Sequence, residues 1–197
     1  SPRTGQHFVD TYSTTDAPPI AVLRRTSDGR ALRTLAEGDI SQARAAGFTP
    51  PRLIRMTAAD GVTDIYGIMH TPSNFDPTNR YPVIDNFYGA PGAGVSTWGF
   101  MRWGSGFARA LAELGFVVVE ISGRGTTRRS KAFLDAYQGR MGENTLPDHV
   151  AGIRDLARQF PFVDTTRVGI YGESRGGYGA PAAVLPPPDF FDGAGAV

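Results

Sequence analysis

Cysteine is absent from the 197-residue sequence. Disulfide bonds, a catalytic thiolate and zinc sites with cysteine ligands are therefore excluded. An excess of one charge is also absent, because 20 Lys and Arg residues face 19 Asp and Glu residues. Net charge thus gives no indication of a nucleic-acid partner or of an anionic membrane surface. The sequence contains no apolar run of about 20 residues, the length that a membrane span needs.

Metal-ligand spacing is missing as well. No pair of histidines and no cluster of carboxylates has the spacing of a metal site, so we expect neither a metal nor an organic cofactor. The one local excess of charge is basic and comprises Arg124, Arg128, Arg129 and Lys131. We interpret it as a solvated loop and helix start rather than a phosphate site. The sequence does not identify the cellular compartment, since a cysteine-free chain suits a reducing compartment without excluding an exported protein.

Residues 6–35 have the composition of short β-strands. Two strand patterns, at 20–23 and 31–35, flank the turn sequence Asp28-Gly29, and this order predicts a hairpin. An isolated hairpin buries too little surface to be stable alone. We therefore expect these residues to belong to a larger β domain whose earlier part lies outside the chain.

A connector and a second hairpin follow. Residues 36–50 contain a short helical pattern at 41–46. Strand patterns at 52–56 and 64–69 then flank a second turn sequence, Asp60-Gly61, which predicts the second hairpin.

From residue 81 onward, strand patterns alternate with helix patterns. Residues 116–121 are almost entirely apolar, as is typical of a strand that a parallel sheet buries on both faces. Alternation of this kind predicts an α/β fold with a mostly parallel sheet and flanking helices. Thr145 is expected to cap the next helix, which has apolar residues at i, i+3 and i+4 spacing: Val150, Ile153, Leu156, Ala157 and Phe160. The other predicted elements are strands at 81–88 and 167–171, a helix at 107–114 that Gly115 ends, and a helix at 175–185.

Ser174 is the predicted nucleophile. It lies in Gly172-Glu173-Ser174-Arg175-Gly176, a Gly-x-Ser-x-Gly sequence between an apolar strand and a helix of small residues. Such a turn exposes the serine hydroxyl, and the glycines let the backbone segments approach each other. The motif alone is weak, but its position between a strand and a helix indicates a serine hydrolase.

Two groups are candidates for stabilising a developing oxyanion. The N–H of Arg175 lies at the predicted helix start, where the helix dipole favours negative charge. Tyr88 ends the strand at 81–88 and could supply a phenol. From the residues alone, a packing role for Tyr88 is the main alternative.

These motifs together resemble the prolyl oligopeptidase family of serine peptidases, and most closely its dipeptidyl peptidase IV branch. The resemblance rests on five motifs in the family's order over residues 60–178. They are Asp60-Gly61-Val62 with Asn74-Phe75-Asp76-Pro77, the run 81–91, Gly123-Arg124-Gly125-Thr126, the run from Phe162 to Gly172, and Gly176-Gly177-Tyr178.

The resemblance implies a domain order, a substrate and a role for Tyr88. Residues 1–48 would be the last strands of a β-propeller plus a linker. Residues 49–197 would be the first part of an α/β-hydrolase domain, ending before its catalytic Asp and His. Tyr88 would be the oxyanion donor, the substrate a short peptide, and a homodimer of the parent protein is allowed.

The chain departs from the family beside the nucleophile. The family commonly has an aromatic residue on each side of the serine, whereas Glu173 and Arg175 stand there here. This departure puts dipeptidyl specificity in question.

The catalytic base is not evident in the sequence. In this fold the triad runs Ser, then Asp, then His, and no histidine follows Ser174. Asp189 and Asp192 come too early to be the acid. We expect His149 to be a solvated or capping residue at a helix start, with His7 in the early strands and His70 at a strand end. The 197 residues alone are therefore expected to be inactive and unstable.

Three functions remain open at this stage. The first is a serine peptidase that acts through an acyl-enzyme, and the second is an esterase or acyl-peptide hydrolase of the same fold. The third is a non-catalytic homologue used for binding.

Overall fold

The computed structural model describes residues 5–89, 99–100, 105–140, 145–185 and 190–197. These residues form two compact units. The first comprises residues 5–50 with 99–100, and the second contains the remainder.

The first unit is a three-stranded antiparallel sheet followed by a short helix. Its strands pair in the order β1-β2-β3, and β2 and β3 form the hairpin predicted around Asp28-Gly29. Gly29 has a φ of +68°, which glycine adopts without a steric penalty. Every residue of β3 is exposed. The elements are β1 (His7–Tyr12), β2 (Ile20–Arg25), β3 (Ala31–Glu37) and α1 (Ser41–Ala45).

The second unit is a six-stranded mixed sheet with helices. Its strand order is β4-β5-β7-β6-β8-β9. The pairs β4–β5 and β5–β7 are antiparallel, and the remaining three pairs are parallel. The α/β prediction and the second hairpin are therefore confirmed. The strands are β4 (Arg52–Thr57), β5 (Asp64–His70), β6 (Tyr81–Phe87), β7 (Val117–Ser122), β8 (Val163–Gly172) and β9 (Gly193–Ala196).

Helices cover both faces of this sheet. Val118 of β7 packs with Ala108 and Ala112 of α2, whereas its neighbours Val117 and Val119 belong to the larger core that includes α4. Because successive side chains of a strand point to opposite faces, α2 and α4 lie on opposite faces. The helices are α2 (Ser105–Glu113), α3 (Lys131–Leu134), α4 (Leu146–Gln159) and α5 (Arg175–Val184), with a 3-10 turn at Asp135–Tyr137.

Arg124 corrects the interpretation of the basic cluster as solvated. Its guanidinium donates to both carboxylate oxygens of the fully buried Asp148, with the shortest distance 2.7 Å, and to Asp60 at 2.8 Å. Hydrogen bonding to Asp148 raises the pKa of Arg124 despite its partial burial. Arg129 also lies over an aromatic ring, that of Phe133, at 4.5 Å. Arg128, Arg129 and Lys131 are exposed and Lys131 begins α3, so for these three residues the prediction of a solvated loop and helix start is confirmed.

Asp164, on β8, predicts an acid-dependent loss of stability. Hydrogen bonds from Thr166, with contributions from Arg167 and Arg80, outweigh burial and lower the pKa of Asp164 to about 2. Its pKa in the unfolded chain is about 3.9. A group with a lowered folded-state pKa stabilises the fold above its unfolded pKa, so this stabilisation falls as the pH drops from about 4 to 2.

We expect Asp164→Asn to lower the free energy of unfolding by about 2 kcal/mol at pH 7 and by progressively less toward pH 2. Urea unfolding of the intact protein and the variant at pH 7, 4 and 2.5 measures this. A difference that stays constant over the three pH values would contradict the assignment.

Candidate active site

Ser174 lies on the turn between β8 and α5. The strand ends at Gly172, the helix begins at Arg175, and Ser174 is exposed between them. Its φ of 57° and ψ of −114° are unusual for a residue with a side chain. Such backbone strain persists only where the surrounding structure imposes it, and it concentrates at functional sites.

Glycines on both sides of Ser174 make this turn possible. A Cβ atom on Gly172 would lie 2.2 Å from the carbonyl carbon and oxygen of Gly176. A Cβ atom on Gly176 would lie 2.1 Å from the carbonyl oxygen of Phe87. Both distances are far below van der Waals contact, so neither position accepts a larger residue without backbone movement.

Val197 holds the backbone around Ser174 through two hydrogen bonds. Ser174 N–H donates to the carbonyl of Val197 at 2.8 Å, and Val197 N–H donates to the carbonyl of Gly172 at 3.0 Å. These bonds continue the parallel pairing of β8 with β9, in which Gly172 faces Ala196. The turn is therefore held on one side by β9.

The end of β6 holds the turn on its other side. Phe87 pairs with Gly172 in the parallel register of β6 and β8, which brings the carboxyl ends of both strands to one edge of the sheet. Tyr88 follows directly and is 45% exposed. A Cβ atom on Gly176 would lie 3.6 Å from the Cα of Tyr88. Tyr88 and the Ser174 turn are thus neighbours, and Arg175 is the first residue of α5.

His149 corrects the prediction of a solvated or capping residue. It is fully buried, and its Nδ1 lies 2.8 Å and 3.0 Å from the two carboxylate oxygens of Asp85, which is also fully buried. Its ring packs edge-on against Phe87, with 4.8 Å between centroids. The helix cap also differs from the prediction, because Thr145 occupies the N-cap position with a φ of 65° and its side chain accepts no capping hydrogen bond.

The structure places the remaining predicted residues as follows. His70 is buried at the end of β5, and its Nε2 lies 3.2 Å from Oε1 of Glu120. His7 begins β1. The Asp192 carboxylate accepts a hydrogen bond from Val168 N–H at 2.7 Å, and Asp189 lies outside the described residues.

The sequence reasoning missed Asp85 and the burial of His149. A signal was present, since Asp85 is a charged residue in a strand whose alternate residues Val83 and Phe87 are apolar. His149 also stands four residues before Ile153 of the apolar face, which places both on the same side of the helix.

The described residues offer neither a metal site nor a membrane-spanning helix. No group of three or more acidic or histidine side chains in the described ranges could hold a metal ion. No helix among these residues combines the length and apolar character needed to cross a membrane.

Comparisons with known proteins support one family. Residues 104–197 match the model of the prolyl oligopeptidase family. Mouse dipeptidyl peptidase 8 is 35% identical over 144 residues, which are 73% of this chain and 16% of that protein. The human dipeptidyl peptidase 8 is 34% identical over the same shares. The chain therefore spans about a sixth of the length of these curated relatives.

A solved structure agrees with the sequence matches. Dipeptidyl peptidase 4 from Porphyromonas gingivalis superimposes with a TM-score of 0.83 at 25% identity, over 97% of this chain and 27% of that one. The fold and these matches agree, and they place the chain in a family of serine peptidases. The chain belongs to the prolyl oligopeptidase family, and within it is similar to the dipeptidyl peptidases.

Proposed function

We propose that the intact protein containing this chain cleaves short peptides, as a dipeptidyl or oligopeptidyl peptidase, through an acyl-enzyme on Ser174. The observation that carries the proposal is the strained, exposed backbone of Ser174 between β8 and α5. A structural serine in a turn has no need of this conformation, whereas a nucleophile must stand clear of its own backbone.

The reaction begins with attack of Ser174 Oγ on the peptide carbonyl carbon. A base accepts the hydroxyl proton and later gives it to the departing amine. In this family's order of motifs the acid and base follow the nucleophile, and we propose that they lie in the part of the protein beyond this chain. Water then hydrolyses the acyl-enzyme to release the second product and regenerate Ser174.

Tyr88 and Arg175 are the proposed oxyanion donors. Negative charge develops on the carbonyl oxygen during attack, and preorganised donors stabilise it. The N–H of Arg175 belongs to the first turn of α5, where the helix dipole favours an anion. The Cα of Tyr88 lies close to Gly176 on the same helix, which supports a phenol on the opposite side of the site.

The domain order is proposed with the function. We propose that residues 1–48 are the closing strands of a β-propeller with a linker, and that residues 49–197 begin an α/β-hydrolase domain. The antiparallel meander β1-β2-β3 with its exposed last strand supports the first assignment. The parallel strands that surround the serine turn support the second.

A second candidate function is that of an esterase or acyl-peptide hydrolase. The exposed charged residues Glu173 and Arg175 favour it, because they stand where the family commonly carries aromatic residues. Charged side chains beside Ser174 favour a substrate whose groups near the cleaved bond differ from those of dipeptidyl peptidase substrates.

Three chromogenic substrates separate these functions in the intact protein. We expect a dipeptide p-nitroanilide with a free amino terminus and a terminal proline to give a kcat/KM about 100-fold above its N-acetylated form, which lacks the ammonium charge. Both are compared with a simple p-nitrophenyl ester.

Each contrary result identifies an alternative. Preference for the N-acetylated peptide indicates an oligopeptidyl peptidase or an acyl-peptide hydrolase rather than a dipeptidyl peptidase, and turnover of the ester alone indicates an esterase. Absence of all turnover, together with no labelling of Ser174 by a fluorophosphonate probe, indicates a binding homologue and overturns the proposal.

A further inference from the structure

The buried pair of Asp85 and His149 joins β6 to α4. Both residues are fully buried, and the carboxylate faces Nδ1 at 2.8 Å and 3.0 Å. A carboxylate only accepts hydrogen bonds, so Nδ1 carries the proton in this contact. Among the described residues, Nε2 of His149 has no hydrogen-bond partner. The side-chain hydrogen bonding of His149 there is to Asp85 alone, through Nδ1.

Stability alone does not account for this pair. Asp85 lies between Val83 and Phe87 in the row of β6 side chains that faces the main core. Replacement of both partners of a buried hydrogen bond by apolar groups of the same shape can be nearly neutral or stabilising. A carboxylate in this row thus indicates a function that an apolar side chain could not perform.

Asp85 and His149 lie next to the carboxyl end of β6, which Tyr88 directly follows. The ring of His149 packs against the ring of Phe87, the residue directly before Tyr88. The Phe87 ring in turn abuts α5, since a Cβ atom on Gly179 would lie 2.2 Å from its Cε1. The carbonyl oxygen of Phe87 meets Gly176 in the same way.

One packed column therefore runs from α4 to the nucleophile helix. His149 contacts Phe87, Phe87 contacts α5 at two glycines, and Tyr88 follows Phe87 without an intervening residue. Because the hydrogen bonds to Asp85 fix the rotation of the His149 ring, they also fix the surface against which Phe87 packs.

We propose that Asp85 and His149 are positioning residues, which hold the end of β6 so that the Tyr88 phenol meets the developing oxyanion. The inference rests on the proposed function, in which Tyr88 is an oxyanion donor. The two residues act through Phe87 and do not touch the substrate.

This role predicts a particular kinetic signature. Loss of one oxyanion donor lowers kcat by about 10²-fold to 10³-fold, because the donor acts on the transition state more than on bound substrate. Loosening of Tyr88 should therefore lower kcat and leave KM nearly unchanged. It should also have no further effect once the Tyr88 hydroxyl has been removed.

A double-mutant cycle in the intact protein tests the proposal. His149→Phe keeps a ring of similar size and removes the hydrogen bond to Asp85. We expect a loss in kcat of about 10-fold to 100-fold for this variant and of about 100-fold for Tyr88→Phe. The double variant should be within about threefold of Tyr88→Phe alone, because interacting residues are not additive. Independent, multiplicative losses would overturn the proposal.

A conservative variant and a matched control complete the experiment. His149→Asn retains an N–H donor near the position of Nδ1, and we expect it to recover kcat to within about threefold of the intact protein. If His149→Phe does not fold, His149→Asn still tests whether an N–H donor to Asp85 is sufficient for full kcat. His70→Phe removes the other buried histidine–carboxylate contact, that with Glu120 on the opposite face of the sheet. It should cost stability without a comparable loss of kcat, and an equal loss would overturn the proposal.

The failure of this inference can be distinguished from that of the proposed function. If Ser174→Ala removes peptide hydrolysis but Tyr88→Phe leaves kcat unchanged, the positioning role is overturned and the nucleophile stands. If the intact protein shows no hydrolysis that depends on Ser174, the proposed function itself fails.

Discussion

Ser174→Ala is expected to lower the kcat of the intact protein for peptide hydrolysis by about 10⁶-fold, the loss typical of a serine nucleophile. The residue is exposed, and it makes its described backbone bond to Val197 through its N–H group, which alanine keeps. The variant should therefore fold like the parent. Steady-state kinetics on a dipeptide p-nitroanilide, with fluorophosphonate labelling as a second readout, measures the loss.

Ser174→Gly separates the chemical role from the backbone strain. Glycine adopts a φ of 57° without the steric penalty that a Cβ atom incurs. We expect this variant to be as inactive as Ser174→Ala but more stable to urea by about 1 kcal/mol.

Ser27→Ala is the control, because Ser27 is an exposed serine in the turn between β2 and β3. It should retain full activity and stability. Residual activity of Ser174→Ala within about tenfold of the parent would contradict the nucleophile assignment.

Gly176→Ala is expected to reduce both stability and activity. The added Cβ atom would lie 2.1 Å from the carbonyl oxygen of Phe87, and relief of that contact requires movement of backbone rather than of a flexible side chain. We expect a loss of about 3 kcal/mol in the free energy of unfolding. Separation of Tyr88 from Ser174 by about 1 Å would lower kcat by about 10²-fold.

Gly106→Ala provides a matched control within the same chain. Gly106 is also a helical glycine, the second residue of α2, and its added Cβ atom would meet no atom of the described residues within 4 Å, apart from its chain neighbours and its own helix backbone. Alanine is favoured over glycine by about 1 kcal/mol in a helix interior and by less in the first turn, so this variant should be at least as stable as the parent and fully active. Urea unfolding and kcat are compared for the two variants. A Gly176→Ala protein as stable as Gly106→Ala would show that the close approach to Phe87 is not required.

Local pattern was sufficient to predict the hairpins and the serine turn. Asp28-Gly29 and Asp60-Gly61 each lie at the turn between paired strands, because turn chemistry depends on adjacent residues. The strand before Ser174 and the helix after it also follow from local composition. In each case the information lies within about ten residues of the feature.

The environment of His149 could not be predicted in this way. Its burial depends on how α4 lies over the sheet and on Asp85, which is distant in sequence. A polar residue at a helix start is ordinarily solvated, and only the tertiary packing makes this one an exception. Arg124 is a similar case, since its partners Asp60 and Asp148 come from a hairpin turn and a helix start.

The bonds that hold the Ser174 turn also determine when its backbone conformation can form. Val197 and Phe87 impose its backbone conformation from opposite sides, and neither is a sequence neighbour of Ser174. During synthesis, a chain that has emerged only through α5 lacks the Val197 carbonyl and has no cause to adopt the strained geometry. In the function that we propose, Ser174 therefore acquires its reactive geometry only after β9 has paired with β8, and a chain without β9 carries an ordinary hydroxyl.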